Sequence, residues 1–221
     1  MISSPSFIIY QQKSSGTAGG SGQNYDLYPN YSARWKEFLD INQNVLTPEY
    51  VAAIYPCDEP TWIGIFFEEL NPIVNLLKAD LPSIPVALVE AYAAIASLKV
   101  PVGVDWLGMD RYGSPDVTKD ADWLADYQVI KNKRTAQQQK MLLVMDAQWL
   151  PLYGEAGYPQ SAMAEVNRRY YDLAVSDPDV LGIIGYVWTG GLDSPEHRDI
   201  RDLPPNVIDE NKRIGKAITG K

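Results

Sequence analysis

Five short apolar runs, each ending in acidic or aromatic residues, constrain this chain more than any other feature. They are VAAIY (51–55), IPVALV (84–89), VGVDWLGM (102–109), MLLVM (141–145) and LGIIGYVW (181–188), and FIIY (7–10) is a sixth candidate. Most are apolar almost throughout, the pattern of parallel strands covered on both faces rather than of half-solvated strands, which alternate. Helical periodicity lies between several of them. Residues 62–78 place Trp62, Phe66, Leu70, Ile73 and Leu77 near a 3.6-residue period, with Pro72 expected to bend or split the helix. Residues 119–137 carry Trp123, Leu124, Tyr127 and Ile130; residues 160–175 carry Met163, Val166, Tyr170 and Leu173; a last helix from about 206 carries Val207, Ile208, Ile214 and Ile218. Strand alternating with helix predicts right-handed crossovers and a parallel sheet. The stretch from Val89 to Val102 leaves room for only a short helix.

Two parallel folds compete. A doubly wound sheet needs a phosphate-cradling turn after its first strand, and GTAGGSG (16–22) follows FIIY at about the right place. It lacks the G-x-G-x-x-G spacing and reads more readily as a mobile loop. A barrel instead gathers polar residues at the C-terminal ends of many strands. That is the pattern here: Asp58 and Glu59, then Glu90 and Tyr92, then Asp110, Arg111 and Tyr112, then Asp146, Gln148 and Trp149, then Trp188 and Thr189. The expected fold is therefore α/β, a TIM (β/α)8-type barrel with about six recognisable parallel strands. No repeat or linker breaks it, so residues 1–221 read as one domain. A full barrel takes about 250 residues, and five strand–helix units already occupy residues 51–221. One or two units are missing from the start on this count. A fragment, a reduced barrel, and a barrel completed by another polypeptide or a second copy of this chain all stay open.

Charge narrows the partners. The formal net charge is −9, from 28 acidic and 19 basic residues, and the densest basic cluster, KNKR (131–134), is brief. A phosphate backbone would be repelled, so no nucleic-acid partner is expected, and a neutral ligand such as a carbohydrate fits better. No run reaches 18 apolar residues, so no membrane span is expected, and the N-terminus lacks the basic leader and apolar length of a signal peptide. A soluble protein follows, in a compartment the sequence does not name. Cys57 and His197 are the only residues of their types. That removes intrachain disulfides, thiolate clusters and His-rich metal sites. Asp58, Asp110 and Asp146 offer oxygen ligands for a divalent cation but lack metal-loop spacing; neither metal nor cofactor is expected.

The segments AAIYPCDEPTW, VDWLGMDRYG, MLLVMDAQW and IIGYVWTGG resemble the strand ends of TIM-barrel glycoside hydrolases. In many of these an acid/base Glu follows the fourth strand just before a Pro, a second carboxylate follows the seventh, and an aromatic after the eighth forms a sugar platform. The resemblance spans about residues 50–190. It implies Glu59 as acid/base, Asp146 as its partner and Trp188 as platform. Two departures stand out: Asp58 occupies the place of the usual Asn, and Asp146 that of the usual Glu.

Glycoside hydrolysis needs one carboxyl to protonate the leaving group and a carboxylate opposite it, about 5 Å away in retaining enzymes and about 6.5–9.5 Å in inverting ones. Adjacent residues of an extended segment point to opposite sides, so Asp58 and Glu59 are not that pair. Asp146 is the first choice for the partner, then Glu90 or Asp110, with Tyr112 placed to orient it. Asp58, Tyr92, Asp110, Tyr112, Gln148, Trp149 and Trp188 are the expected substrate-binding residues. For Glu59 to stay protonated near neutrality, a neighbouring carboxylate or an apolar wall, which Tyr55 or Trp62 would supply, must raise its pKa. Each has a plainer reading. Asp58 and Glu59 before Pro60 look like a helix N-cap, Asp110–Arg111 like an ion pair, and the tryptophans like packing; Trp35, Trp106 and Trp123 fit packing best. His197 is expected exposed in a polar loop, and Cys57 buried and inert. The rival function is a carbohydrate-binding or structural barrel without turnover, which keeps the tryptophans and needs no facing acids.

Overall fold

The computed structural model describes residues 2–188 and 193–220; Thr189, one of the strand-end residues, lies outside them. In chain order the elements are β1 (Ile2–Ser3), α1 (Ser6–Ile9), β2 (Tyr10–Gln12), β3 (Tyr25–Leu27), α2 (Tyr31–Asn42), β4 (Ala53–Ile54), α3 (Phe67–Asp80), β5 (Ala87–Ala91) and β6 (Trp106–Asp110). There follow α4 (Ala121–Asn132), β7 (Lys140–Asp146), β8 (Gln148–Trp149), α5 (Pro151–Glu155), α6 (Met163–Ser176), β9 (Val180–Tyr186), β10 (Arg198–Asp199) and α7 (Pro205–Thr219). It is an α/β fold whose six main parallel strands, β1, β4, β5, β6, β7 and β9, make an incomplete (β/α) barrel. The chain divides into two compact units, Met1–Met109 with Val129–Met141, and Asp110–Gln128 with Leu142–Lys221.

In the first unit β1 runs parallel to β4, with Ile2 opposite Ala53 and Ser3 opposite Ile54. Single bridges from Ile54 to Val86 and from Asp58 to Val89 lead on towards β5, whose next neighbour is β6. FIIY is not the sixth strand. Pro5 starts a helical turn, its carbonyl accepting the Ile8 N–H at 3.0 Å, and the turn buries Ile9 while leaving Phe7 exposed. An apolar run of four residues is too short for periodicity to separate strand from helix. Extension resumes at β2, which pairs antiparallel with β3. Trp35 of α2 is wholly buried and its indole N–H donates to Asp80 at 2.8 Å, tying α2 to the end of α3. Helix α3 starts five residues later than its periodicity suggests and runs unbroken through Pro72. Its inner stripe is Leu70, Ile73, Val74 and Leu77.

The glycine-rich loop is neither a phosphate nest nor unattached. Ser21 donates its N–H and its hydroxyl to the Trp62 carbonyl, at 3.0 and 2.8 Å. A Cβ on Gly19 would sit 2.1 Å from that same carbonyl oxygen and 2.4 Å from the Gly64 nitrogen. Only glycine lets two backbones approach so closely. Gly19→Ala is expected to destabilise the fold by about 1–3 kcal/mol, read as a lowered urea midpoint with unchanged slope.

In the second unit β7 neighbours β9. β7 is buried from Met141 onward, whereas β9 is half-buried and leaves Leu181 exposed, so coverage on both faces, expected for most of the runs, does not extend to this one. The core beside it is aromatic. Trp123 stacks on Tyr127 with centroids 5.4 Å apart and meets Tyr170 edge-on at 5.8 Å. Helices α6 and α7 pack together, and Arg168 and Arg213 both bind the buried Glu210 carboxylate. No helix among the described residues is long and apolar enough to cross a membrane.

Candidate functional site

The first unit carries Asp58 and Glu59 on the segment leaving β4. Val89 fixes it: Asp58 bridges to Val89, and the Glu59 N–H donates to the Val89 carbonyl at 3.1 Å. Glu59 has a φ of +43°, in the left-handed region that a non-glycine residue seldom occupies. The chain then turns at once. The Glu59 carbonyl accepts from Ile63 at 3.1 Å and the Pro60 carbonyl from Ile65 at 2.8 Å. No helix starts until Phe67, where the Glu69 side chain accepts the Phe66 N–H at 3.0 Å. Asp58 and Glu59 therefore do not cap α3. Asp58 is exposed and accepts the Tyr55 hydroxyl; Glu59 is half-buried.

Both line a pocket of about 310 Å³ together with Phe7, Tyr10, Tyr25 and the buried Cys57. Burial pushes the Cys57 thiol far up, which leaves it protonated and inert. Sequence patterns pointed to none of the three aromatics, because they come from α1, β2 and β3, well before the motif.

Glu90 is fully buried at the end of β5. One carboxylate oxygen accepts the Thr61 N–H at 2.8 Å; the other accepts the Trp62 and Ala91 N–H groups at 3.2 and 3.1 Å. Burial raises its pKa, and the hydrogen bonds from Thr61, Trp62 and Ala91 offset part of that. The carboxylate clamps the turn that follows Glu59–Pro60. Glu90→Gln would point an N–H₂ at backbone donors, and a loss of about 2–4 kcal/mol is expected, measured by chemical denaturation. Tyr92, just beyond β5, is half-exposed.

In the second unit Asp146 ends β7 with none of its surface exposed. Its Oδ2 accepts the Gly113 N–H at 2.8 Å and the Tyr153 hydroxyl at 2.5 Å, while Oδ1 has no partner among the described residues. Burial raises its pKa to about 6 against those hydrogen bonds. The Asn167 amide donates to the Asp146 carbonyl at 2.8 Å and holds the backbone. Tyr153, on α5, is the residue that orients Asp146, and sequence patterns did not mark it. Tyr112, expected in that role, instead donates to Asp110 at 3.3 Å and stacks on Tyr186 with centroids 5.5 Å apart. Burial and the nearby Asp110 and Asp146 carboxylates keep its phenol protonated.

Arg111 pairs with Asp126 and donates to the Asp122 carbonyl at 2.9 Å. Gln148 is buried and lies opposite Asp199, while Trp149 lies opposite Arg198. The Trp149 indole donates to the Tyr158 carbonyl at 2.9 Å and presses on Gly154, where a Cβ would come within 2.7 Å of the ring. Trp188 is 57% exposed, so packing does not account for it. His197 is half-buried rather than exposed, with Nδ1 buried and unpartnered. No cluster of three or more His, Cys, Asp or Glu among the described residues could hold a metal ion.

No protein-family model matches the chain, and no curated protein is similar to it in sequence. Solved structures are similar in fold. A GH113 β-1,4-mannanase in complex aligns over 85% of this chain and 63% of its own, with 8% identity and a TM-score of 0.57. The β-glucuronidase of Ruminococcus gnavus with uronic isofagomine aligns over 83% and 34%, with 14% identity and a TM-score of 0.54. The GH113 β-mannanase of Alicyclobacillus acidocaldarius aligns over 84% and 62%, with 9% identity and a TM-score of 0.51. The chain thus spans less than two thirds of the length of the first of these. The shared property is the barrel architecture of several glycoside hydrolase families.

Proposed function

We propose that the chain is a glycoside hydrolase domain that cleaves O-glycosidic bonds of an oligo- or polysaccharide by carboxyl acid/base catalysis, with Glu59 as proton donor. The observation that carries this reading is the placement of Glu59 on the wall of a pocket, on a turn clamped from behind by the buried Glu90. Such a clamp holds a carboxyl in one position, which proton transfer to a bound oxygen requires.

In the proposed reaction the Glu59 carboxyl gives its proton to the glycosidic oxygen as the C–O bond breaks, so the leaving sugar departs as an alcohol. Asp146 takes the role of the second carboxyl, as nucleophile or as base for water. Glu90 acts as a positioning residue. Asp58, Tyr92, Asp110, Tyr112, Gln148, Trp149 and Trp188 remain the proposed substrate contacts, within one barrel-type domain short of one or two strand–helix units. The fold likeness to GH113 β-mannanases makes β-1,4-mannan the first polymer to assay, followed by β-1,4-glucan and xylan. Release of reducing sugar supports the reading, and the anomer formed first, followed by NMR, separates retention from inversion. Binding of these polymers without any release would instead favour a carbohydrate-binding barrel.

A further inference from the structure

Strand β9 has a free side. Among the described residues its neighbour in the sheet is β7, and no strand pairs with its far edge. The Tyr186 carbonyl accepts the Ala147 N–H at 2.8 Å, so Tyr186 and, by alternation, Ile184, Gly182 and Val180 turn their backbone groups towards β7. Leu181, Ile183 and Gly185 turn theirs away. No backbone hydrogen bond outside the ladder reaches these three from the described residues. Side chains cover the edge no better: Leu181 is 50% exposed, Gly185 is exposed and Ile183 is half-buried. A row of N–H and C=O groups without protein partners is a template for another strand, and proteins usually protect it with Lys, Pro or another charged side chain. Residues 180–186, VLGIIGY, contain none of these.

The strand is complementary to itself. When two copies run antiparallel with Ile183 opposite Ile183, all of β9 from Val180 to Tyr186 finds a partner, and any other antiparallel register leaves residues over. The outward-turned residues then form the hydrogen-bonded pairs, Ile183 with Ile183 and Leu181 with Gly185 on either side, each pair exchanging two bonds. Directly opposed residues share a face, so the Leu181 side chain meets a glycine and no competing side chain. Charge selects the same arrangement. Each chain carries −9, and Asp177 and Asp179 stand just before β9. Parallel in-register pairing would set Asp179 beside Asp179, whereas antiparallel pairing puts the acids of the two copies at opposite ends of the ladder.

We propose that β9 is the interface of a two-fold symmetric homodimer, in which the strands of two copies pair antiparallel about Ile183 and join their sheets. The occupant is a second copy of this chain because the edge offers it a self-matching, closed contact. Once the two strands pair, neither β9 edge remains free, and assembly stops at two. The interface is small. A stable interface buries about 1,200–2,000 Å² in total, and a single ladder of this length covers less, so the expected dissociation constant is about 10–100 µM. None of the carboxyls of the candidate site takes part, so the dimer and the hydrolase reading stand or fall separately.

The test is sedimentation velocity of the full chain from about 1 µM to about 300 µM, with amide hydrogen exchange followed by NMR across the same range. The mass is expected to double as concentration rises. The Leu181, Ile183 and Gly185 amides should exchange quickly in the dilute sample and slowly in the concentrated one, while the Gly182 and Ile184 amides, turned towards β7, stay protected in both. Leu181→Lys puts a charge on the edge and is expected to weaken the dimer at least about tenfold. Its melting temperature at about 1 µM, where the chain is monomeric, should match that of the unaltered chain, because Leu181 is half exposed. A chain that stays monomeric up to about 300 µM overturns the proposal, as does a dimer whose three outward amides exchange freely or one that Leu181→Lys leaves intact. Assemblies that keep growing past two copies overturn it as well, since they show open-ended strand stacking instead of a closed pair.

Discussion

Glu59→Gln is expected to slow hydrolysis of an unactivated β-linked oligosaccharide by about 10²–10⁴-fold, the usual contribution of a positioned general acid. The melting temperature should hardly change, because Glu59 is only half-buried and its backbone contacts, the Val89 carbonyl and the Ile63 N–H, are untouched by the substitution. The diagnostic is the leaving group. An aryl glycoside with an acidic phenol departs without needing a proton, so its bond cleavage should be slowed far less than that of the natural linkage. A uniform loss on both substrates would assign Glu59 to binding instead, and no loss would remove it from the mechanism.

Asp146→Asn is expected to do two things at once. Hydrolysis should fall by about 10³-fold or more if Asp146 is the second carboxyl, and the pH dependence of stability should flatten. The sign follows from the raised pKa. Burial lifts Asp146 from an ordinary 3.8 to about 6, so the fold holds the neutral form better than the unfolded chain does. Its contribution to stability is therefore greatest below about pH 4 and declines as pH rises through 6. The accumulated penalty at pH 7–8 is about 3 kcal/mol by linkage. Asparagine keeps an oxygen for the Gly113 N–H and the Tyr153 hydroxyl and removes the charge. The variant should thus lose the decline between pH 4 and 7, seen by urea melts at several pH values. A wild-type protein whose stability rises over that interval, after correction for the other carboxylates by the same variant, would show that Asp146 is ionised without penalty.

Local patterns made much of the architecture legible. Apolar runs report strands covered by helices, so β4, β5, β6, β7 and β9 were all visible, as was the placing of Asp58, Glu59, Asp110 and Asp146 at or just beyond strand ends. The missed strand, β1, has two residues and exists only because Ile2 and Ser3 pair with Ala53 and Ile54 some fifty positions away. No window of sequence contains that partner. FIIY resembles a strand but forms a helical turn for the complementary reason: four apolar residues carry no period, and the hydrogen bond from the Ile8 N–H to the Pro5 carbonyl decides the turn.

The same division runs through the candidate site. Residue type near a strand end follows from the chain itself, so sequence determined which carboxyls stand at or just beyond strand ends. What each carboxyl does depends on groups brought in from elsewhere. Glu59 and Glu90 look alike as acids near strand ends, yet Glu90 is consumed by the amides of Thr61 and Trp62, 29 and 28 positions away. Asp146 is held by Gly113 and Tyr153, and Glu59 shares its pocket with aromatics from the first 25 residues. Desolvation and hydrogen bonding set orientation and charge, and both are made by neighbours in space. Tertiary structure alone therefore decided that Glu90 braces a turn, that Asp146 sits dry with one oxygen unpaired, and that Glu59 lines a pocket.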